Sequence, residues 1–396
     1  MSKIEELIAR LCPDGVEYKE LKFISKMRRG TSLVKKNASY GEYPVISGGK
    51  EPAFYCDSYN RTGETITVAG SGAGAGYIQY WTIPIFVNDA FSIQAEDNTL
   101  TKYLYYCLAN MQQKIYDTKK GGGVPHVHIS SIENFKLPVP PLEVQREIVH
   151  ILDSFTLLSA ELAAELAARQ KQYEWYRDML LTFDDVRAGG TSSVTWKRLD
   201  ELFPFIRNGF VGTIKNHFTN KENGVRYLEG TNIHDGVISD NEVLYVTKEF
   251  HEKHKKNELK PDDILMVQSG HIGECATVGE KYAGANCHAL IIMSNGGNCI
   301  SKFYVHYFHT LQGFKSLNPA ITGGTIKHVL AGKMGKILVP VPPLSEQQRI
   351  VDILDRFDAL CNDITSGLPA EIEARKKQYE YYRDKLLTFK ELKKEA

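Results

Sequence analysis

The chain contains two copies of one structural unit, and this internal repeat limits its fold more than any other feature of the sequence. The first shared segment, at residues 138–155, reads PVPPLEVQREIVHILDSF and recurs at residues 340–357 as PVPPLSEQQRIVDILDRF, with 12 of 18 positions identical. The second, at residues 168–183, reads ARQKQYEWYRDMLLTF and recurs at residues 374–389 as ARKKQYEYYRDKLLTF, with 13 of 16 identical. Such similarity indicates that one supersecondary unit is built twice.

The sequence between the shared segments diverges but keeps its landmarks in order. The motif GETITVAGSG at residues 63–72 corresponds to PDDILMVQSG at 261–270, and GGGVPHV at 121–127 corresponds to GTIKHV at 324–329. The sequence therefore predicts two variable heads and two similar helical segments. We place the first head at residues 1–139, the first helical segment at 140–190, the second head at 191–339 and the second helical segment at 340–396.

The shared segments predict long amphipathic helices. From Glu143 to Phe183 apolar residues recur every three or four positions, after a proline-rich run of the kind that precedes a helix. A helix over residues 143–183 would be about 60 Å long at about 1.5 Å per residue. The second copy, from Ser345 to Phe389, has the same pattern, but Gly367 and Pro369 predict a kink or short break. Because a narrow apolar stripe on so long a helix needs a partner, we expect the two copies to pack as a coiled coil.

The heads are predicted to be α+β domains. Short β-branched or aromatic runs bounded by Gly, Asn, Asp and Ser indicate strands. The clearest predicted strands are Thr65–Val68, Tyr77–Trp81, Ile264–Val267 and Ala289–Met293. Each head is also predicted to contain one or two helices, such as Lys102–Gln113 in the first and Ser301–Gln312 in the second.

Composition predicts a protein of the cytoplasm. Charged residues make up 24% of the chain, the net charge is zero, and no run of 18 apolar residues occurs. The opening residues MSKIEELIAR lack the apolar core of a signal peptide. The seven cysteines are scattered and form no CxxC pair, which argues against a disulfide framework or a zinc site and favours buried thiols.

None of the common catalytic motifs fits the sequence. The run GSGAGA at residues 70–75 is a loose dinucleotide-binding pattern, but a strand-like stretch from Tyr77 to Ile85 follows it instead of a helix. His251 and His254 have the wrong spacing for zinc on a helix face. There is no phosphate-binding GxxxxGK[ST] loop and no [DN]PP[YF] methyltransferase signature. We therefore expect that the chain itself catalyses no reaction and uses no cofactor or metal.

Two unlike heads, each followed by P-x-P-P-L-x-x-Q-x-x-I-V and a long helix closing in Q-Y-E-x-Y-R-D-x-L-L-T-F, resemble the specificity subunits of type I DNA restriction-modification systems. The resemblance covers nearly the whole chain. It implies that each head is a target recognition domain reading one half of a split, asymmetric site in double-stranded DNA. It also implies that the two helical regions form an antiparallel coiled coil with an internal two-fold pseudo-repeat. The second helix, interrupted at Gly367 and Pro369, departs mildly from this pattern.

The same resemblance implies partners for the chain. The helical regions would dock two methyltransferase subunits, and restriction subunits would join that core. S-adenosylmethionine would belong to the methyltransferase partner, and ATP and magnesium to the restriction partner.

Residues that contact DNA are expected on exposed loops of the heads, because bases are read by polar side chains and phosphates by Lys, Arg and backbone amides. Glycines at residues 48–49, 70–76 and 121–123 allow the backbone to approach DNA closely. His126 and His328 stand out because they occupy matching positions in otherwise divergent heads. The candidates in the first head are Arg28, Arg29, Lys35, Lys36, Ser47, Lys50, Ser71, Lys119, Lys120 and His126. Those in the second are Arg207, Lys215, Asn216, Thr231, Asn232, Gln268, Ser269, His271, Thr322, Lys327 and His328.

One alternative belongs to a different class of protein, a non-catalytic two-headed scaffold that grips proteins or carbohydrate. Salt dependence separates it from a DNA reader, because DNA binding releases counterions and weakens steeply as salt rises. A free-standing nuclease or methyltransferase is disfavoured by the missing motifs.

Overall fold

The computed structural model describes residues 3–96, 98–121, 123–183, 194–324, 327–363 and 365–392. The chain divides into two compact units. The first comprises Met1–Ala164 with Glu371–Ala396, and the second comprises Glu165–Ala370. Each unit therefore contains one head and a part of each helical segment. The expected boundary between residues 190 and 191 lies outside the described residues.

The first head is built on a four-stranded antiparallel sheet. Its strands lie in the order Ser25–Arg29, Ala90–Ala95, Thr65–Ala69 and Ile78–Trp81, with Ile66 opposite Ile93. A three-stranded sheet has the order Phe54–Cys56, Tyr43–Ile46 and Phe86–Val87, and its last pair is parallel. The pair Tyr18–Glu20 and Lys136–Pro138 joins the start of the head to its end. The α-helices of this head are Lys3–Leu11, Thr101–Asn110, Gln112–Tyr116 and Ile129–Ile132, and the 3-10 helices are Leu21–Phe23 and Lys35–Asn37.

The second head repeats this plan. Its main sheet has the order Phe205–Asn208, Leu290–Ser294, Ile264–Val267 and Cys275–Thr277, and its second sheet has the order Phe218–Thr219, Leu244–Thr247, Gly224–Leu228 and Asn286–Cys287. The remaining strand pairs are Thr195–Arg198 with Leu338–Val341, Ile233–His234 with Val237–Ile238, and Ile321–Thr322 with His328–Val329. Its α-helices are Leu199–Leu202, Lys248–Lys253, Ser301–Phe308, Leu311–Ser316 and Ala331–Met334. Its 3-10 helices are Lys215–His217, Gly230–Asn232, Lys255–Asn257, Glu280–Tyr282 and Asn318–Ala320.

The third strand of each main sheet, here called the central strand, is buried on its two faces. It is Thr65–Ala69 in the first head and Ile264–Val267 in the second. In the second head, Ile264 and Met266 pack in one hydrophobic cluster with the helix Ser301–Phe308, whereas Leu265 and Val267 pack in another. Successive residues of a strand point to opposite faces, so the strand Ile264–Val267, covered on each side, is apolar throughout. The equally buried strand Thr65–Ala69 instead alternates threonine with apolar residues. The predicted α+β heads and the predicted common plan are confirmed.

Each helical segment contains the helix that its apolar pattern predicts. The first is a single helix of 40 residues, Leu142–Leu181, here called the long helix. The second is divided into Leu344–Asn362 and Leu368–Leu386, here called the helix pair. At the division, a Cβ atom on Gly367 would lie 2.6 Å from the carbonyl oxygen of Ala359, so this close turn requires glycine. No helix in the described part of the chain is both long and apolar enough to cross a membrane.

A buried glutamine attaches each head to the helix that follows it. The Gln145 side chain accepts a hydrogen bond from the backbone of Leu100 (2.8 Å) and donates to the carbonyl of Pro140 (2.7 Å). Gln347 accepts from Ile300 (2.9 Å) in the same way. Each glutamine satisfies a free backbone N–H just before a head helix begins. The glutamine of the repeated motif therefore fixes the head to the helix through hydrogen bonds.

The two ends of the chain meet in the first unit. The Val16 N–H donates to the carbonyl of Lys390 (2.8 Å), and the Leu392 N–H donates to the carbonyl of Val16 (2.9 Å). The preceding Gly15 has a φ of +114°, and a Cβ there would lie 2.5 Å from the Lys390 oxygen. The carboxyl-terminal residues thus form part of the fold of the first head.

The cysteines are packing residues. All seven are buried and free, as the sequence predicts. Burial raises the pKa of Cys107 and Cys287 to about 12, so these thiols stay protonated near neutral pH.

Candidate nucleic-acid interface

Two loops that are distant in sequence meet at one end of the first head. The Gly72 N–H donates to the carbonyl of Pro125 (3.0 Å), and the Val127 N–H donates to the carbonyl of Gly70 (3.0 Å). His126 makes bridge contacts with both Ser71 and Lys120. The structure therefore brings together three residues that the sequence analysis selected from separate glycine-containing loops.

A third loop joins this cluster through Asn88 and Asp89. The Ser71 hydroxyl donates to the Asp89 carboxylate. A cavity of about 200 Å³ opens here, and its lining includes Arg29, Asn88, Asp89, His126 and His128. The His126 and His128 rings are stacked, with centroids 5.9 Å apart. The cluster offers hydrogen-bond donors and acceptors next to one another, which is the chemistry that reads base edges.

Asn88 also positions the loop that carries Lys35 and Lys36. Its side-chain oxygen accepts from the Leu33 N–H (2.9 Å), and its amide nitrogen donates to the Leu33 carbonyl (3.2 Å) and to the Ser47 hydroxyl (3.0 Å). The loop from Thr31 to Ala38 is thereby tied to the cluster. Sequence reasoning missed Asn88, Asp89 and His128, although an Asn-Asp pair just before a strand is a turn signal that could have drawn attention to them.

The basic residues of the first head differ in their surroundings. Lys50 lies over the Tyr77 ring, 5.3 Å from its centroid, and Lys119 lies over the Tyr116 ring at 4.2 Å. Arg28 and Arg29 are neighbours on one strand and point to opposite faces, so only Arg29 lines the cavity. Arg28, Arg29, Lys35, Lys36, Lys50 and Lys120 are exposed, and Ser47, Ser71, Lys119 and His126 are half-buried.

The second head has an equivalent cluster. His328 makes a bridge contact with Ser269 and pairs with Thr322 in a short hairpin, and the Val329 N–H donates to the carbonyl of Gln268 (2.9 Å). His126 and His328 thus occupy equivalent places, each beside a serine that follows the central strand. His288 and Ala289 stand where the first head has Asn88 and Asp89, because Ala90 and Leu290 hold equivalent registers in the two main sheets.

Two predicted residues of the second head are engaged within the protein. Asn232 is only 1% exposed, and its amide accepts from the Glu229 N–H (2.9 Å) and donates to the Ser239 carbonyl (3.3 Å). Arg207 donates to the Ser294 hydroxyl (2.8 Å) and the Glu258 carbonyl (3.4 Å). Each side chain holds neighbouring segments in place, and the role of the two residues in contacting DNA stays a prediction.

The other predicted residues of the second head are accessible. Thr231 lies in the turn Gly230–Asn232, and Lys215 and Asn216 lie in the turn Lys215–His217. Lys215, Asn216, Thr231, Ser269, His271, Thr322 and Lys327 are exposed, and Gln268 and His328 are half-buried. The predicted loops at Gly122 and at residues 325–326 fall in part outside the described residues. Among the residues that are described, no group of three or more His, Cys, Asp or Glu side chains is placed to hold a metal ion.

A second candidate surface lies on the helical segments. Trp175 and Tyr381 occupy the same position of the repeated motif and are 60% and 62% exposed. The residue after each one stacks on a phenylalanine: Tyr176 on Phe357 in the second unit, with centroids 5.5 Å apart, and Tyr382 on Phe155 in the first unit at 5.5 Å. A large exposed aromatic side chain repeated in equivalent surroundings is typical of a binding surface.

The chain matches the family model described as the type I restriction modification DNA specificity domain over residues 13–168 and 193–374. It is 31% identical over 424 aligned positions to the type I restriction enzyme EcoR124I/EcoR124II specificity subunit of Escherichia coli, covering 98% of this chain and 97% of the relative. It is 29% identical to a putative type I restriction enzyme specificity subunit of Haemophilus influenzae, covering 85% of each chain.

Solved structures show the same fold. The crystal structure of the type I restriction-modification S subunit from M. genitalium aligns with a TM-score of 0.59 at 16% identity, over 94% of this chain and 96% of that one. A chain from a structural study of complex assembly and conformational transition in a type I R-M system aligns with a TM-score of 0.61 at 17% identity, over 95% and 98%.

Proposed function

The chain belongs to the family of type I restriction-modification specificity subunits, and from this we propose that its two heads read the two halves of one split, asymmetric site in double-stranded DNA. The observation that carries this proposal is the pair of equivalent clusters with unlike polar residues. The first head presents Asn88 and Asp89 where the second presents His288 and Ala289. In each head these residues lie next to a serine that pairs with a histidine, His126 or His328. Two clusters with the same backbone arrangement but different hydrogen-bond donors and acceptors are suited to reading two different base sequences.

Binding measurements with matched variants test this proposal. DNA carrying the split site should bind the chain, assembled with its methyltransferase partner, with an affinity that falls steeply as salt rises. His126→Ala should weaken discrimination at the first half-site by about 1–3 kcal/mol and leave the second unchanged. His328→Ala should do the reverse, so each variant is the control for the other. Binding that is insensitive to salt, or variants that affect the two half-sites equally, would contradict the proposal and favour a scaffold for protein or carbohydrate.

We further propose that the long helix and the helix pair form an antiparallel coiled coil related by a pseudo-two-fold axis. Support comes from contacts within each unit. In the first unit, Phe155 near the start of the long helix meets Tyr382 near the end of the helix pair. In the second unit, Tyr176 near the end of the long helix meets Phe357 near the start of the helix pair. Such end-to-start contacts are those of antiparallel neighbours.

In this arrangement the repeated aromatic surface would dock two methyltransferase subunits, one beside Trp175 and one beside Tyr381, and restriction subunits would join that core. The chain itself would be non-catalytic, with S-adenosylmethionine held by the methyltransferase partner and ATP and magnesium by the restriction partner. A complex of this kind works where the DNA is, so we expect it in the cytoplasm.

Subunit counting tests the docking. Trp175→Ala and Tyr381→Ala should each reduce the number of methyltransferase subunits bound per chain from two to one, and the double variant should bind none. Light scattering of the purified complexes measures this number. Leu157, which is 61% exposed on the same long helix but is replaced by Ala359 in the second copy, provides the control: Leu157→Ala should still bind two. Two subunits bound to the double variant would exclude this surface.

A further inference from the structure

The second head contains an insertion that the first head lacks. After the equivalent strands Phe54–Cys56 and Leu244–Thr247, the first head has eight residues before its central strand, residues 57–64, and the second has sixteen, residues 248–263. The insertion begins with KEFHEKHKK at residues 248–256, which has four lysines, two glutamates and two histidines, whereas residues 57–64 have one arginine and two acidic residues. The two heads therefore differ in charge at this place.

The insertion is anchored by its apolar and amide contacts. Thr247 caps the helix Lys248–Lys253 by accepting from the Phe250 N–H (3.3 Å). Phe250 is buried and meets the Phe210 ring edge-on, with centroids 5.0 Å apart. His251 Nδ1 lies 2.7 Å from the Asn286 side-chain oxygen. Because one side of the segment is fixed in this way, its lysines are left on the exposed side.

The insertion meets the predicted DNA-contacting turn Lys215–His217. The His254 ring lies 4.8 Å from Phe210 and 4.5 Å from Phe250, and the His217 ring lies 5.0 Å from Phe250. Phe210 itself contacts His288, which belongs to the equivalent cluster of this head. The basic segment is thus continuous with the candidate interface.

Three of its four lysines, Lys248, Lys253 and Lys256, have no ion pair within the described residues. Glu252 lies 3.1 Å from Lys255 and 3.9 Å from His251, but no ion pair within the described part of the chain engages Lys253 or Lys256. Burial, and then the charges of Lys253, Lys256 and His217, lower the pKa of His254. These four residues are here called the insertion patch. Its two lysines concentrate positive charge at one place on the surface, beside the His217 and His254 rings.

We infer that the insertion patch binds the DNA backbone beside the second half-site and adds sequence-independent phosphate contacts that the first head does not make. This rests on the proposed DNA-reading function. A lysine ammonium on a flexible stem is a point charge that suits a phosphate, whereas base edges are read by the paired donors and acceptors found in the clusters. The second head would therefore contact more phosphates along the DNA backbone than the first.

The salt dependence of binding tests this inference. The double variant Lys253→Gln/Lys256→Gln, assembled with its methyltransferase partner, is compared with the unmodified chain on double-stranded DNA with and without the split site. Each lost phosphate contact reduces the slope of log affinity against log salt by about 0.9, so the expected reduction is about 1.8. Affinity for the two DNAs should fall by the same factor, so the preference for the split site is unchanged.

The matched control is Lys333→Gln/Lys336→Gln, which removes two exposed lysines of the same head. Lys333 lies within the helix Ala331–Met334, and Lys336 follows it. This control should keep the slope of the unmodified chain. If the insertion variant also keeps that slope while the unmodified chain binds the split site normally, the inference is wrong and the proposed function stands. If the unmodified chain shows no salt-dependent DNA binding, the proposed function and this inference fail together.

Discussion

Asn88 joins two loops of the first head through hydrogen bonds to Leu33 and Ser47. Replacing it with alanine leaves these partners without their bonds and should release the loop that carries Lys35 and Lys36. We expect Asn88→Ala to reduce the free energy of unfolding by about 1–3 kcal/mol and to weaken binding at the first half-site only. Titration with DNAs in which one half-site is randomised measures the effect.

Asn295→Ala is the control for this prediction. Asn295 donates to the Cys299 carbonyl (2.9 Å) and the Ser301 hydroxyl (2.9 Å) in the second head. A similar loss of stability is therefore expected, without loss of affinity at the first half-site. Equal effects of the two variants on that half-site would show that Asn88 acts through stability alone.

Asp355 is expected to make the stability of the second unit depend on pH, because it binds two side chains of the second head, His306 and Lys302. Burial alone would raise its pKa, but hydrogen bonds from His306 (3.1 Å) and Lys302 (2.8 Å) outweigh burial and lower the pKa below the ordinary value of 3.8. A carboxylate with a lowered pKa stabilises the folded state above its unfolded pKa and loses that contribution as pH falls through the folded value.

Asp355→Asn should therefore lower stability at pH 7 by about 1 kcal/mol, because the pair is partly exposed and screened. The difference from the unmodified chain should shrink as pH falls below about 4. Urea unfolding followed by tryptophan fluorescence measures it. Asp352→Asn, on the exposed side of the same helix, should follow the unmodified chain at every pH. A difference for Asp355→Asn that does not shrink as pH falls further below about 4 would refute this account of the ion pair.

Some residues of the candidate interface can be predicted from sequence, because their residue type and their position on a glycine-containing loop identify them. Ser71, Lys120 and His126 were selected as polar residues on glycine-containing loops, and the fold brings them together. Asn88 could not be found in this way, because its partner Leu33 is 55 residues away. Asn232 has a residue type suited to base reading, but burial assigns it to the loop framework.

The long helix is the element that best follows from sequence. A 3.6-residue pattern after a proline run determines its start, and Gly367 determines the break in the second copy. Strand pairing in the heads does not follow in this way. Ser25–Arg29 pairs with Ala90–Ala95 across some 60 intervening residues, and no local pattern specifies such a register. The strands themselves were predictable, and the sheets were not.

If the long helix sets the separation of the heads, lengthening it should change the gap between half-sites. Inserting Ala-Glu-Leu-Ala beside Leu166 adds about 6 Å, and one helical turn of DNA, 10–10.5 base pairs, spans about 34–36 Å. We expect one or two base pairs to be added to the gap with the half-sites unchanged. Selection from a DNA library with variable gaps measures this.

Glu161→Ala/Glu165→Ala alters the same stretch without lengthening it and should keep the original gap. A lengthened chain that still selects the original gap would show that the helix does not set the spacing.

At the scale of the whole molecule, two units repeat one plan with different polar residues on their loops and one added basic segment in the second head. The repeat predicted this plan, because two nearly identical helical segments are expected to attach to their heads in the same way. Gln145 and Gln347 show the physical reason, since each holds its head to the helix by the same hydrogen bond. The position of the insertion beside Phe210 required the structure.

Mapping adenine methylation across the genome of the source organism, with and without this gene, tests the central claim most directly. If the chain selects the DNA site of a type I complex, its loss should abolish methylation at one split motif, two short unlike half-sites around a fixed gap, and leave other methylated motifs intact. An unchanged set of methylated motifs, in cells that express the methyltransferase partner, would contradict the claim that the two heads read DNA.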